Sequence, residues 1–410
     1  IIKLNKPPET LNESLWVDAI FGNNQIRSTD NKIISLFHKK FDDGLGKIVS
    51  LDIPTGLCPN TGKVFSGGSI KSHYTLSIGL KKVGILQDDA IPYVGKIIDI
   101  QIGLREDQSF FGLKRFLSIS KKDIHKVTLS LPARNANKYS RGRTLLITGS
   151  NKYLGAASLV VQGAMASGVG YIKVLVPEII GKSIWQFAPE VVVEGFLDRS
   201  PEGNSILYKS FEHIDFTRFE SIVIGPGIGI DILDWEKCLK YLTPFKGILI
   251  LDADALSRIA LSKTGCQFFL NRDFQTWITP HFVEFRRLFP ELNEANRIEL
   301  AIRAAKEFDI GVLLKGAHSI IADPKGIVWQ IYETNDDSAR AGLGDLLSGF
   351  ISGMAALELA SGEKITIESF AKYVFLHSYA ASRCEGGSNA SRIGDELSNL
   401  IREIKTGLMS

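Results

Sequence analysis

Short, nearly continuous apolar runs that each stop in glycine, proline, histidine or a charge constrain this chain most. Residues 144–148 lead into Gly149-Ser150, and residues 221–224 end in Gly225-Pro226-Gly227-Ile228-Gly229. Residues 247–251 end in Asp252-Ala253-Asp254-Ala255, residues 276–279 in Pro280-His281, and residues 310–314 in Lys315-Gly316. A further run spans residues 171–176, and a small-residue helical stretch lies between Gly155 and Met165. Runs apolar on both faces suit strands buried between helices, so the expectation is an α/β fold with a mostly parallel sheet between helical layers. Ligands of open α/β sheets lie outside the carboxyl ends of the strands. The glycines, His281, Lys315 and the two acids are therefore expected along one rim.

The stretch Ala339-Arg340-Ala341-Gly342-Leu343-Gly344-Asp345 adds a second constraint. It is followed by Leu347, Phe350, Ile351 and Met354, one face of an amphipathic helix. The glycine turn thus sits at a helix N-terminus, where unbonded N–H groups and the dipole favour an anion. A carboxylate there repels phosphate unless it takes a proton from a hydroxyl attacking the phosphorus. The plain alternative is a glycine loop with Asp345 as an ordinary first-turn acid. No G-x-x-x-x-G-K-[ST] loop occurs, and the Gly225–Gly229 turn lacks the full dinucleotide spacing. His281 fits a turn residue as well as a ligand contact. Lys315 fits a solvated surface cation as well as a phosphate partner. Asp252 and Asp254 fit helix capping more readily than a water-bridged divalent ion.

The first hundred residues repeat the strand-end pattern with Asp18 and Asp52. Residues 106–130 have no comparable sheet signal and are basic, which places a linker there and divides the 410-residue chain into 1–115 and 116–410. A net charge of +3 is too small over this length to imply a nucleic-acid or membrane surface. Cys58, Cys238, Cys266 and Cys384 form no CxxC pair, so free thiols and a cytoplasmic setting are expected. No apolar run is read as long enough to span a bilayer. The chain opens at Ile1 without methionine or signal-peptide character, and sequence upstream of it is expected.

Six ordered blocks between Gly149 and Gly349 resemble the ADP- or ATP-dependent NAD(P)H-hydrate dehydratases of the ribokinase-like fold: Gly149-Ser150 with Gly155-Ala156-Ala157, GPGIG, LDADAL, TPHFVEF, LLKGAHSII and GLGD. Residues 1–105 resemble the second half of the NAD(P)H-hydrate epimerase domain through DAIFG, SLDIPTG, TLSIGLKKVG and the loop from Gly22 to Ser28. The fusion resembles the bifunctional NAD(P)H-hydrate repair enzymes, with a ribokinase-like domain preceded by a partial, Rossmann-like epimerase domain.

The resemblance implies repair of NADHX and NADPHX, the hydrates of NADH and NADPH. The R and S forms would be interconverted by the front domain where that domain is complete, and the S form dehydrated at the cost of ADP or ATP. It implies Asp345 as base and Gly344 with Lys315, Gly316, Ala317, His318 and Ser319 as nucleotide contacts. Ala156, Gly227 and His281, with Asp345, would line the hydrate pocket. In the front domain it implies Asp52 and the loop Gly22, Asn23, Asn24, Gln25, Ile26, Arg27 and Ser28 at the substrate, potassium on Asp18 and Thr55, and Lys82 on the family's lysine. Magnesium is expected with the nucleotide phosphates. The family's Asn-Gly-Gly-Asp-Gly stretch would fall upstream of Ile1 and is absent from this sequence, its Thr-Gly-Gly-Thr-Gly-Asp reads Arg340-Ala341-Gly342-Leu343-Gly344-Asp345, and its histidine before the early lysine is Asn137, ahead of Lys138. Two other readings stand beside this one: a ribokinase-like small-molecule kinase, and a non-catalytic nucleotide-binding scaffold. Monomer and homo-oligomer are both open.

Overall fold

The computed structural model describes residues 13–103, 116–129, 132, 135–294, 296–332, 340–384 and 386–407. The chain divides into two compact units, residues 1–112 with 295–297, and residues 113–294 with 298–410.

The front unit carries β1 (Leu15–Asp18), β2 (Lys47–Leu51), β3 (Tyr74–Ile78) and β4 (Lys96–Ile100), parallel and side by side in chain order. The helix Asn31–Asp42 starts where Asp30 accepts the Lys32 amide at 2.9 Å. Its apolar face sets Ile34 and Phe37 against Ile48 and Ile70, and Trp16 meets Phe37 edge-on. Parallel register brings the carboxyl ends of β1 and β2, hence Asp18 and Asp52, to one edge.

The second unit holds β5 (Phe116–Ile119), β6 (Arg143–Ile147), β7 (Tyr171–Pro177), β8 (Val192–Arg199), β9 (Ser205–Ile206), β10 (Ser221–Ile224), β11 (Ile248–Leu251), β12 (Thr276–Ile278), β13 (Gly311–Leu314), β14 (Ser319–Ala322) and β15 (Val328–Ile331). These form one sheet in the order β5-β15-β14-β13-β12-β11-β10-β6-β7-β8-β9. The pairs β13/β14, β14/β15 and β8/β9 are antiparallel, and the others are parallel. Every residue of β10, β11, β12 and β13 is buried, the burial that unbroken apolar runs require.

Two elements differ from the sequence expectation. Residues 116–119, read as linker, form the edge strand β5 parallel to β15. A four-residue edge strand with Phe116 exposed has too short an alternation to register in the sequence. Further along the expected linker, Lys121–Lys126 form a short 3-10 helix, while residues 106–115 and 130 lie outside the described residues, as does Ala339. The helix Leu343–Ala360 is long and apolar enough to cross a membrane by length and composition, contrary to the sequence reading, but two thirds of it is buried inside the protein.

That helix is held by close backbone approach. A Cβ on Gly163 of the helix Leu154–Ser167 would lie 1.9 Å from the Leu346 carbonyl oxygen, and one on Gly349 would lie 1.9 Å from that of Val160. Only hydrogen fits at either place, so the two helices touch backbone to backbone. On the sheet side, the Ser352 hydroxyl meets Thr144 Oγ1 at 2.7 Å, and the Ser221 hydroxyl donates to the Ser352 carbonyl at 2.7 Å. Small side chains and buried hydroxyls thus set the height at which the helix begins.

Candidate active site

Register places the strand ends level. Ile224 of β10 pairs with Ile147 of β6 and Leu251 of β11, Leu251 with Ile278 of β12, and Ile278 with Val312 of β13. The residues that follow leave the sheet along the same edge, as the sequence reading expects of an α/β rim.

On one side of the rim the glycine turn after β10 packs on the loop after β6. Gly149 N–H donates to the Pro226 carbonyl at 2.8 Å, and Thr148 Oγ1 donates to the same oxygen at 2.7 Å. Gly227 takes φ +68°, and a Cβ there would stand 2.8 Å from the Ala156 Cβ. Left-handed backbone and close contact together require glycine. Ala156 and Gly227, predicted to share a pocket wall, are therefore neighbours. Beneath them lies a fully buried ion pair. Arg258 donates to Asp234 at 2.8 Å, to the Gly229 carbonyl at 2.7 Å and to the Ser205 carbonyl at 2.8 Å. Asp234 also accepts the amides of Leu207 and Tyr208, each at 2.9 Å. The guanidinium fork and the carboxylate satisfy one another and clamp the turn.

The centre of the rim is charged. Asp252, buried at the end of β11, accepts Lys315 Nζ on Oδ1 at 2.7 Å and the Ser348 hydroxyl on Oδ2. It does not cap the following helix by the expected route; Ala253, at φ +48°, occupies that position without a side-chain bond. Asp254 opens that helix and accepts the Gly229 amide at 2.8 Å. Burial holds the Asp254 carboxyl above its ordinary range, opposed by that amide bond. Lys315 itself leaves β13, its amide bonded to the Pro280 carbonyl at 2.8 Å and its backbone bridged in parallel to His281.

The helix Leu343–Ala360 completes the rim. Its N-cap is Gly342 at φ +89°, with no side-chain capping bond. The Lys315 ammonium stands 3.4 Å from where a Gly344 side chain would begin. Unbonded first-turn amides and a cation thus share one small volume, a setting for an anion. Asp345 stands beside it. Burial, then the negative charge of Asp252, push its carboxyl up to about 7; Lys315 opposes this and Asp254 adds to it. A group that exchanges its proton near neutrality, at the mouth of an anion site, is equipped for general-base chemistry.

His281 is the exposed N-cap of the helix Phe282–Leu288. Its Nδ1 accepts the Glu284 amide at 3.3 Å, and its own amide donates to Glu284 at 2.9 Å. Gly316 and Ala317 are exposed and His318 is buried; the Ser319 hydroxyl turns back to the Gly316 carbonyl at 3.3 Å. The structure thus brings Ala156, Gly227, His281, Lys315, Gly344 and Asp345 to one edge. Sequence reasoning missed the Asp252–Lys315 pair, the Ser348 hydroxyl and the Arg258–Asp234 clamp. The one sequence signal for the first of these was an acid and a lysine at the ends of two separate strand runs.

In the front unit, Asp18 is fully buried at the end of β1. It accepts Thr55 Oγ1 at 2.7 Å, Thr55 N at 2.8 Å and Ser50 Oγ at 2.7 Å. Asp52 takes φ +70° at the end of β2 and accepts Lys82 Nζ and, at 3.1 Å, the Ile78 amide. In the loop from Gly22 to Ser28, only Gln25 is buried. It receives the Gly56 amide at 2.8 Å and donates to the Arg27 carbonyl at 2.8 Å. The exposed Gly22, Asn23, Asn24 and Ile26 leave the loop's outer face open, Arg27 lies over the Phe21 ring, and the Ser28 hydroxyl meets that of Ser66 at 2.6 Å.

Comparison with known proteins bears on both units. Residues 144–404 match the family described as NAD(P)H-hydrate dehydratase, and residues 2–84 match the family described as YjeF-related protein N-terminus. The bifunctional NAD(P)H-hydrate repair enzyme of Synechocystis sp. is 33% identical over 83% of this chain and 64% of its own length. The enzyme of that description from Gloeobacter violaceus is 32% identical over 85% of this chain and 68% of its own length. The chain therefore spans about two thirds of the length of these relatives. Among solved structures, a ribokinase-like superfamily protein of Enterococcus faecalis V583 superposes with a TM-score of 0.58 at 23% identity, over 70% of this chain and 96% of that one. An ADP/ATP-dependent NAD(P)H-hydrate dehydratase of Bacillus subtilis, co-crystallised with ATP and Mg2+, superposes with a TM-score of 0.56 at 24% identity, over 70% of this chain and 97% of that one. These two likenesses establish the ribokinase-like fold of the larger unit.

Proposed function

The chain belongs to the NAD(P)H-hydrate dehydratase family, and on that premise we propose that its larger unit uses ADP or ATP to dehydrate the S form of NADHX and NADPHX. The observation that carries the proposal is Asp345, a carboxyl pushed up to about 7 at the helix start where Lys315 meets Gly344. The first-turn amides with Lys315 hold the nucleotide's terminal phosphates, while residues 316–319 face the rest of the nucleotide. Ala156, Gly227 and His281 line the hydrate side.

Hydroxide is a poor leaving group, and phosphorylation makes it a good one. Asp345 takes the hydroxyl proton as that oxygen bonds to the terminal phosphorus, and the P–O bond to the nucleotide breaks with its electrons on the nucleotide. The C–O bond then breaks with its electrons on phosphate, the neighbouring ring carbon loses a proton, and the ring double bond returns. With ADP as donor the products are NAD(P)H, AMP and phosphate. Stable accumulation of a phosphorylated product would instead favour a small-molecule kinase.

Among the described residues no three carboxylate, histidine or cysteine side chains converge to hold a metal ion, so magnesium would come with the nucleotide, held by its phosphates. Asp252 and Asp254 both raise the Asp345 carboxyl, so the site carries negative charge for that cation to meet. When bound, the ion supplies charge neutralisation at the transferred phosphoryl group.

The front unit is proposed to bind the hydrate for R/S epimerisation through Asp52 and the Gly22–Ser28 loop. Asp18 and Thr55 present oxygens, the ligands a hard cation takes; holding potassium there would break the hydrogen bond that Thr55 now donates to Asp18, with the hydroxyl keeping its proton.

The direct test is recovery of NADH absorbance from NADHX, with ADP or ATP supplied separately. Wild type should restore it with one or both. Asp345→Asn should bind nucleotide and restore nothing; turnover at the wild-type rate by that variant removes Asp345 as the base. A scaffold would keep its function in that variant.

A further inference from the structure

Asp252 has no part in the reaction set out above, yet it lies at the centre of the rim with its side chain 1% exposed. Its Oδ1 holds the Lys315 ammonium at 2.7 Å and the Ala253 amide at 2.9 Å. Its Oδ2 takes the hydroxyl of Ser348, which sits one turn into the helix that Gly342 opens and lies 3.0 Å from the Gly344 carbonyl. One carboxylate therefore ties the end of β11, the end of β13 and the first turn of that helix. A buried aspartate bonded only to its own loop would cap or turn the chain; this one faces the anion site through a lysine.

We propose that Asp252 is the positioning residue of this site: it holds the Lys315 ammonium beside Gly344, where the cation faces the nucleotide phosphate. The proposal rests on the reading of Gly344 and Asp345 given above. The charged groups facing Asp345 are Asp252 and Asp254 from the loop after β11 and Lys315 from the end of β13. Asp252 acts on Asp345 in two ways. Its own charge disfavours a second carboxylate nearby, and its bond to Lys315 engages the cation whose charge opposes that effect. Remove the charge and both effects vanish together. Lys315 is then drawn to Asp345, the base becomes a weaker proton acceptor, and the phosphate loses its cation. A purely structural ion pair would change the melting temperature and leave both of these properties alone.

The test uses the full chain, NADHX and ADP. The pH profile of kcat/KM, the KM for nucleotide, and direct calorimetric binding of ADP are measured for wild type, Asp252→Asn and Asp252→Glu. In Asp252→Asn the acid limb of the profile should move down by about one pH unit or more, and the nucleotide KM should rise about tenfold with the loss of a held charge-assisted contact. Asp252→Glu keeps the charge but displaces the ammonium, so its limb should move less than that of Asp252→Asn while KM rises. If Asp252→Asn does not fold, Ser348→Ala carries the measurement: loosening Asp252 from the helix should raise nucleotide KM several-fold, and an unchanged KM overturns the proposal. Equal acid limbs in Asp252→Asn and wild type overturn it as well, as does an Asp252→Glu limb displaced as far as that of Asp252→Asn. A wild type that turns over NADHX while either result holds refutes this inference alone. A wild type that binds no ADP removes the functional reading and this inference with it.

Discussion

Replacing Asp345 by asparagine should remove activity and stabilise the protein, and the stabilisation should depend on pH. Folding raises this carboxyl from 3.8 to about 7, through burial first and Asp252 second. The folded chain therefore holds a proton that the unfolded chain releases. The stability tied to that proton is fully present below pH 3.8, falls as pH rises, and is gone once pH passes about 7. At about 1.4 kcal/mol per pH unit, the interval corresponds to a ceiling of about 4 kcal/mol for ionised Asp345 in the fold. The side chain is part-exposed at an open rim, so solvent reduces this to about 1–3 kcal/mol. The asparagine amide carries no charge at any pH. The variant should therefore match wild type near pH 4 and exceed it progressively to pH 8, where the gain amounts to several degrees in melting temperature. The assay is paired thermal or urea unfolding of the two proteins at half-unit pH steps, with NADHX turnover and ADP binding measured on the same samples. Parallel stability curves from pH 4 to pH 8 would refute the reasoning, because the carboxyl would then titrate as it does in the unfolded chain.

Wild-type kcat/KM should rise with pH through an acid limb near 7, since the base must be ionised to accept a proton; a limb near 4 in the measured profile contradicts the raised carboxyl. Gly349→Ala would place a methyl 1.9 Å from the Val160 oxygen and force apart the two helices that set the anion site. It should cost about 3 kcal/mol or more in urea unfolding and weaken ADP binding, and a loss below about 1 kcal/mol contradicts the backbone contact. Gly227→Ala meets Ala156 at 2.8 Å with φ +68°, so it should raise KM for the hydrate more than KM for the nucleotide in steady-state kinetics. Arg258→Met leaves Asp234 buried without its cation and should destabilise by about 3–5 kcal/mol in chemical unfolding.

Much of this architecture was legible in local sequence. Unbroken apolar runs at β10, β11 and β13 announced a sheet covered on both faces, because only such a strand excludes polar residues from both of its sides. The parallel order then sent Gly225, Asp252, His281 and Lys315 to a common edge. The Gly342–Asp345 turn was legible as well: two glycines before a 3.6-residue apolar period describe a helix start whichever fold contains it. Edge strand β5 was not legible, since four residues with one exposed face look like linker until β15 offers hydrogen bonds.

The residue types and their places along the strands were settled by the chain itself, because periodicity and turn chemistry act over a few neighbours. Which charges meet was settled only by folding. Asp252 and Lys315 are 63 positions apart, and Arg258 and Asp234 are 24 apart; no local preference couples residues at such distances. The proton affinity of Asp345 belongs to the same class, as it follows from desolvation and from neighbours delivered by other strands. Sequence placed an acid in the first turn of a helix; the packed rim raised its affinity for a proton toward neutral pH.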